Sequence, residues 1–271
     1  MRSVTGAGVV VTGAGGGIGA AMARRFAALG ARVVVNDLRT EAAERVAGSC
    51  GGQAVAIAGD AASADGVAAL IAAARAELGE IDLYCANAGI ARTGADQAGE
   101  ADWSESWQVN VMAHVRAAGL LLDRWLERGS GHLICTVSAA GLLSMPGAAP
   151  YAVTKHAALA YAEWLSLTYR HRGLTVQAIC PQGVRTAMLD GSDPMAERLL
   201  GPSAISPEDV ADAVVEAMAD ERFLILPHPE VAGMYAGRAA DPDRWLAGMN
   251  RLQQFLADDA QSATGPPGTG E

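Results

Sequence analysis

Short, unbroken apolar runs recur along this chain, separated by alanine-rich segments whose apolar positions repeat with a helical period. The runs are Gly8 to Thr12, Arg32 to Asn36, Ala54 to Ala58, Asp82 to Ala86, His132 to Val137, Thr175 to Cys180 and Phe223 to Leu226. Continuous rather than alternating hydrophobicity predicts strands buried on both faces. Helical periodicity marks Gly17 to Leu29, Thr40 to Ala47, Ala64 to Leu78, Ala101 to Glu127, Tyr151 to Tyr169, Pro194 to Leu200 and Pro207 to Ala219. Strands alternating with helices in this way predict an α/β fold, a doubly wound parallel seven-stranded sheet with helices on both faces.

Beyond the last strand, Asp241 to Leu256 reads as another amphipathic helix, with Trp245, Met249, Leu252 and Phe255 at helical spacing. That stripe is read as packing or subunit contact. The Gly, Pro, Ser and Thr of the C-terminal end cannot bury enough apolar surface to order themselves. The expectation is a single domain over residues 1–258 followed by a disordered tail over 259–271.

With 271 residues the chain is long enough for one large core. No run approaches the length of a membrane span, and the start offers no charged region with a small-residue cleavage site, so a cytoplasmic protein is expected. A formal charge of −10 argues against binding the phosphate backbone of a nucleic acid. Cys50, Cys85, Cys135 and Cys180 lack metal or redox spacing and read as small buried thiols. The five histidines have no metal-site spacing either, so no metal is expected.

Among 20 basic residues Lys155 is the only lysine. Arginine cannot replace a lysine that must be a compact, titratable ammonium on a flexible stem, which makes this one a candidate for specific chemistry. It lies four residues after Tyr151, on the same helix face. A phenol is a poor base at neutral pH, and a neighbouring cation is expected to favour its phenolate, fitting it to exchange a proton with a substrate oxygen.

The run Val9 to Gly19 leaves a strand, turns through Gly13, Gly15, Gly16 and Gly17, and opens a helix with Ile18 and Gly19. Such a turn lets backbone approach a pyrophosphate seated on a helix N-terminus. Asp37, at the end of the second run, completes the dinucleotide fingerprint by accepting ribose hydroxyls, and its charge would repel a 2′-phosphate. NAD is therefore the expected cofactor, although Arg39 two residues on is a residue type that accommodates that phosphate.

With these residues in place the chain resembles the single-domain short-chain dehydrogenase/reductase family from about Val4 to Leu226. Asn87-Ala88-Gly89 matches its sheet-stabilising motif, Asn110 its relay asparagine, and Ser138, thirteen residues before Tyr151, its substrate-orienting serine. The resemblance implies that Ser138, Tyr151, Lys155 and Asn110 are catalytic, with Lys155 also holding the nicotinamide ribose. It implies a cofactor site of Gly13, Gly17, Ile18, Gly19, Asp37, Asp60, Ala61, Asn87, Ala88, Gly89, Tyr151, Lys155, Val184 and Thr186. It also implies a homodimer or homotetramer assembled through the two long helices.

Two features depart from the family pattern. Gly16 lets the glycine run read also as the spacing of a larger epimerase-like branch, against which stand the chain length and the short Ser138 to Tyr151 spacing, and Gln182 separates a proline and a glycine that are usually adjacent. Leu142, Leu143, Met145, Pro146, Met188 and Met195 make the expected substrate segments apolar, suiting a hydrophobic alcohol or ketone. Arg92 and Arg185 are read as solvated surface groups. The function expected is interconversion of a secondary alcohol and a ketone. A nucleotide sensor without turnover, and a lyase or epimerase that uses bound NAD transiently, are the alternatives.

Overall fold

The computed structural model describes residues 3–92, 98–190 and 194–263. Seven strands, β1 (Gly8–Val11), β2 (Arg32–Asp37), β3 (Ala54–Ala58), β4 (Leu83–Ala86), β5 (Gly131–Thr136), β6 (Leu174–Ile179) and β7 (Leu224–Ile225), pair in the order β3-β2-β1-β4-β5-β6-β7. Every pairing is parallel. The helices are α1 (Gly17–Ala28), α2 (Thr40–Gly48), α3 (Ala64–Leu78), α4 (Glu100–Trp107), α5 (Ala113–Glu127), α6 (Ala140–Leu143), α7 (Ala149–Tyr169), α8 (Ala187–Asp190), α9 (Pro194–Leu200), α10 (Pro207–Asp220), α11 (Glu230–Ala240) and α12 (Pro242–Ala263).

Because successive strand side chains point to opposite faces, each apolar run feeds two cores. Val10, Val34, Tyr84 and Leu133 meet α3, α5 and α7 on one side. Val9, Val11, Val33, Val35 and Ile134 meet α1, α2 and α10 on the other. This two-sided burial is why the runs do not alternate. The four cysteines lie buried. No helix among the described residues is long and apolar enough to cross a membrane.

The strand order reverses between β1 and β4, and an open parallel sheet binds ligands at the carboxyl ends of the strands beside such a reversal. Several details differ from the sequence reading. The single helix expected over Ala101 to Glu127 is split by a turn of π-helix at Gln108–Met112, which carries Asn110. Helices α6, α8 and α11 were not anticipated. Helix α12 runs on to Ala263, past Leu256; residues 264–271 of the expected tail lie outside the described residues.

Candidate active site

The β1–α1 turn has no room for a side chain at Gly13, Gly15 and Gly19, whereas Gly16 is open. Gly13 adopts φ +61°, and a Cβ there would come 2.8 Å from the Cα of Ala88. A Cβ at Gly19 would lie 2.6 Å from Asn87 Nδ2 and from the Gly13 carbonyl oxygen. Gly17 and Ile18 then open α1, whose first turn holds no acidic residue and whose N-cap, Gly16, offers no side-chain acceptor. Its N–H groups and positive dipole end are thus left for an anion from outside the helix.

At the end of β2, Asp37 Oδ2 accepts the Gly15 N–H at 3.0 Å, while Oδ1 accepts the Arg39 backbone N–H at 3.0 Å and Nε at 3.4 Å. The carboxylate is therefore pinned against the glycine turn with the guanidinium folded onto it. Asp60 accepts the Ala62 and Ser63 N–H groups; its hydrogen bonds, the Ser63 side chain foremost, hold the carboxyl below its ordinary value.

Asn87 braces the sheet where its order reverses. Its Nδ2 donates to the Thr12 carbonyl at 2.9 Å and its Oδ1 accepts the Thr136 hydroxyl at 3.0 Å, joining the ends of β1, β4 and β5. The backbone N–H groups of Asn87 and Ala88 both donate to Thr12 Oγ1 at 3.0 Å. Gly89 follows at a spot where a Cβ would lie 3.3 Å from both Asn110 Oδ1 and Lys155 Nζ.

Asn110, fully buried in the π turn, grips Ile90 from both sides: its Oδ1 accepts the Ile90 N–H at 3.0 Å and its Nδ2 donates to the Ile90 carbonyl at 3.0 Å. The same Nδ2 reaches Thr154 Oγ1 at 3.1 Å, tying the turn to α7 next to Lys155. One turn further on, His114 is buried; burial first, then the charge of Lys155, pushes it down to about 3, so it is neutral.

Lys155 is buried and its Nζ donates to the Thr136 carbonyl at 2.9 Å, lying 5.6 Å from the centroid of the Tyr151 ring. Burial lowers the ammonium to about 8, partly offset by Cys135 and Cys180. Ser138 Oγ accepts the Ala140 N–H at 3.1 Å and faces the Pro181 carbonyl at 3.5 Å. The phenol departs from the sequence expectation. Burial pushes Tyr151 above its ordinary value, against a hydrogen bond with Ser138 that lowers it. Desolvation of the ring thus dominates, and the Lys155 ammonium donates to the Thr136 carbonyl.

After β6, Val184 forms a parallel bridge with Ile205, and Thr186 donates to the Val184 carbonyl at 3.2 Å, with its methyl close to Gly17. Gln182 fits without disturbing this loop: its backbone N–H donates to His228 Nδ1 at 3.1 Å and its side chain meets Met234 Sδ at 3.6 Å. Arg92 is engaged by Glu105, and Arg185 by the Ala204 carbonyl.

These groups face one cleft of ≈ 850 Å³. Of the predicted catalytic and cofactor residues, all but Asn110 and Gly19 line it, and those two hold the lining from behind; Leu142, expected among the apolar substrate residues, instead points into the core, where it is buried among helix and strand side chains. The anticipated apolar residues Leu143, Met145, Pro146 and Met188 line its far end, whereas the Met195 side chain lies outside the described residues. Thr136, Thr154 and Met234 were not singled out from sequence. The first acts through its backbone carbonyl toward Lys155, which carries no residue signature.

The family model for short chain dehydrogenases matches residues 7–197. The 1-deoxy-11-beta-hydroxypentalenate dehydrogenase of Streptomyces exfoliatus is 37% identical over 228 residues, 80% of this chain and 81% of that protein. Estradiol 17-beta-dehydrogenase 11 of Macaca fascicularis is 27% identical over 259 residues, 92% of this chain and 84% of that protein. Among solved structures, a short chain dehydrogenase/reductase from Burkholderia phymatum in complex with NAD superimposes with a TM-score of 0.82 at 29% identity, covering 90% of this chain and 96% of that one. With a family model matched over residues 7–197 and a relative 37% identical across most of its length, the chain belongs to the short-chain dehydrogenase/reductase family.

Proposed function

We propose that the protein is an NAD-dependent oxidoreductase that interconverts a secondary alcohol and a ketone on an apolar small molecule. The observation that carries this reading is the convergence of Ser138, Tyr151 and Lys155 on one cleft with the glycine turn and Asp37. The cleft fits a dinucleotide: an uncapped helix end for the pyrophosphate, a carboxylate for the ribose, and backbone too close for side chains in between. When bound, NAD supplies or accepts the hydride.

In this reading the protein's own groups handle the oxygen and its proton. Ser138 Oγ holds the reacting oxygen by a hydrogen bond, and Tyr151 gives or takes its proton. Lys155, anchored on Thr136, holds the nicotinamide ribose and keeps a positive charge beside the phenol while it remains protonated, below about pH 8. Asn110 fixes Ile90 and α7 so that the lysine and the tyrosine keep their spacing. Gly13, Gly17, Ile18, Gly19, Asp60, Ala61, Asn87, Ala88, Gly89, Val184 and Thr186 complete the cofactor site.

Self-association as a homodimer or homotetramer is part of the same proposal. What supports it is that helix α7 exposes Val153, Trp164 and Leu167 and the α4–α5 segment exposes Trp103, Trp107 and Leu120, large apolar side chains on the two segments expected to carry the contact.

The test is NADH formation from NAD with a panel of apolar secondary alcohols. The reading predicts net NADH with at least one class. Tight NAD binding with no turnover on any of them, or product formed without net NADH, contradicts it.

A further inference from the structure

The cleft extends past Tyr151 to a wall supplied by chain beyond residue 197, where the family match ends. Met234 of α11 lines it, as do Trp245, Met249 and Leu252 of α12, which fall at i, i+4 and i+7 on one helix face. Those three are half-buried, whereas Leu246 and Phe255 elsewhere on α12 are 64% and 66% exposed. Trp245, Met249 and Leu252 are therefore turned toward the cleft, whereas Phe255, the fourth residue of the expected stripe, is not.

A specific clasp fixes this wall relative to the Tyr–Lys pair. Arg238 of α11 donates to the Leu142 carbonyl in α6 and to His156 Nε2 at 3.1 Å. His156 follows Lys155 on α7 and donates its Nδ1–H to the Ala152 carbonyl at 2.9 Å, which leaves Nε2 as the acceptor Arg238 needs. Gln182, in the loop after β6, touches Met234 and adds a second tie.

The chemistry of the wall selects its occupant. Met145, Met188, Met234 and Met249 face this end of the cleft, and methionine adapts its shape to apolar ligands. Among the described residues lining the cleft, the only basic side chains are Lys155 and Arg39, the latter folded onto Asp37 at the opposite end. The carboxylates near the apolar end are Glu105 and Glu230. The cations beside this end are engaged, Arg92 by Glu105 and Arg238 by the Leu142 carbonyl and His156, which leaves none of them to repay the desolvation of a phosphate-bearing ligand.

We infer that α11 and α12 form the wall that measures the substrate. The substrate is a neutral, bulky, apolar secondary alcohol or ketone that reaches from Ser138 and Tyr151 to Trp245, not a ligand that places a phosphate at this end. This rests on the dehydrogenase reading above, and its test is made separable from it.

Calorimetric titrations of the NADH-bound enzyme with a rigid polycyclic ketone, with cyclohexanone and with acetoacetyl-coenzyme A read binding without requiring turnover. The polycyclic ketone is expected to bind at least about tenfold tighter than either other ligand. Trp245→Ala is expected to weaken it about tenfold or more, to change cyclohexanone by no more than about twofold and to leave NADH affinity unchanged. Met249→Ala gives a smaller loss of the same pattern and serves if the tryptophan variant does not fold. Equal loss for both ketones, no loss for either, or thioester binding as tight as the polycyclic ketone overturns the wall. Alcohol-dependent NADH formation with no response to Trp245→Ala rejects the wall and leaves the dehydrogenase; the binding pattern without NADH formation does the reverse.

Discussion

The two ends of the cleft are built from different material. Beside β1 and β2 the surface is mostly backbone: Gly13 and Gly19 pass so close to Ala88 and Asn87 that a methyl group does not fit. Beside α11 and α12 the surface is side chains on a helix pair, with glycines that have open space around them. At Gly13, Gly15 and Gly19 the cofactor end leaves no space for an added methyl group, whereas the glycines of α11 and α12 leave that space open. Lys155 stands at the junction, buried so that its charge serves chemistry at a cost to stability.

The largest expected effect concerns that cost. The lysine's folded pKa of about 8 lies below its ordinary 10.5, so between those values the unfolded chain binds more protons and stability rises with pH. Below pH 8 the full cost is present, about 3 kcal/mol from the size of the shift. Cofactor-free Lys155→Met is expected to be more stable than the parent by up to that amount in urea denaturation at pH 7, with the difference vanishing above about pH 10.5, while turnover is lost.

Next, the same added methyl should act oppositely at the two ends. Gly19→Ala, with its Cβ forced to 2.6 Å from Asn87 Nδ2, should lose about 1–3 kcal/mol of stability and most NADH affinity. Gly248→Ala in α12, where nothing comes closer than the Arg251 guanidinium at 3.9 Å, should gain about 0.5–1 kcal/mol. Thermal unfolding and NADH titration of both variants check the pair; similar losses at the two sites would erase the contrast.

Asp37→Ser removes the negative charge and frees Arg39 to meet a 2′-phosphate. The ratio of NADP to NAD affinity should rise about 10- to 100-fold, measured by titration with each reduced cofactor. The smallest effect is expected at Ser144, on the cleft loop between α6 and α7, whose φ of 64° and ψ of 168° fall in a region that suits glycine. Ser144→Gly should relieve about 1 kcal/mol of strain in urea denaturation.

Much of this was legible in the sequence, and the exceptions have physical reasons. Strands such as Val9–Val11 and Leu83–Ala86 are apolar because both faces are buried, so their runs announced a covered parallel sheet. The glycine turn was legible because close backbone approach leaves only one residue type available. The π turn was not: one extra residue in a turn hardly disturbs the helical period of Ala101 to Glu127, yet it carries Asn110. Helix α11 was missed because Gly233 and Gly237 weaken its pattern and its partners, Leu142 and His156, are far away in sequence. Spacing revealed that Tyr151 and Lys155 are neighbours but not which effect wins at the phenol, since burial depends on the whole fold. Of the C-terminal stripe, Trp245, Met249 and Leu252 face the cleft while Phe255 is exposed, a split that depends on how α12 packs and is not written in its spacing.

The central claim is that Tyr151 moves the proton in this cleft. It is tested most directly by measuring alcohol-dependent NADH formation and NADH affinity side by side for the parent enzyme and Tyr151→Phe. The account predicts a fall of about 10²–10⁴ in kcat with NADH affinity nearly unchanged. Turnover by Tyr151→Phe at the parent rate would contradict it.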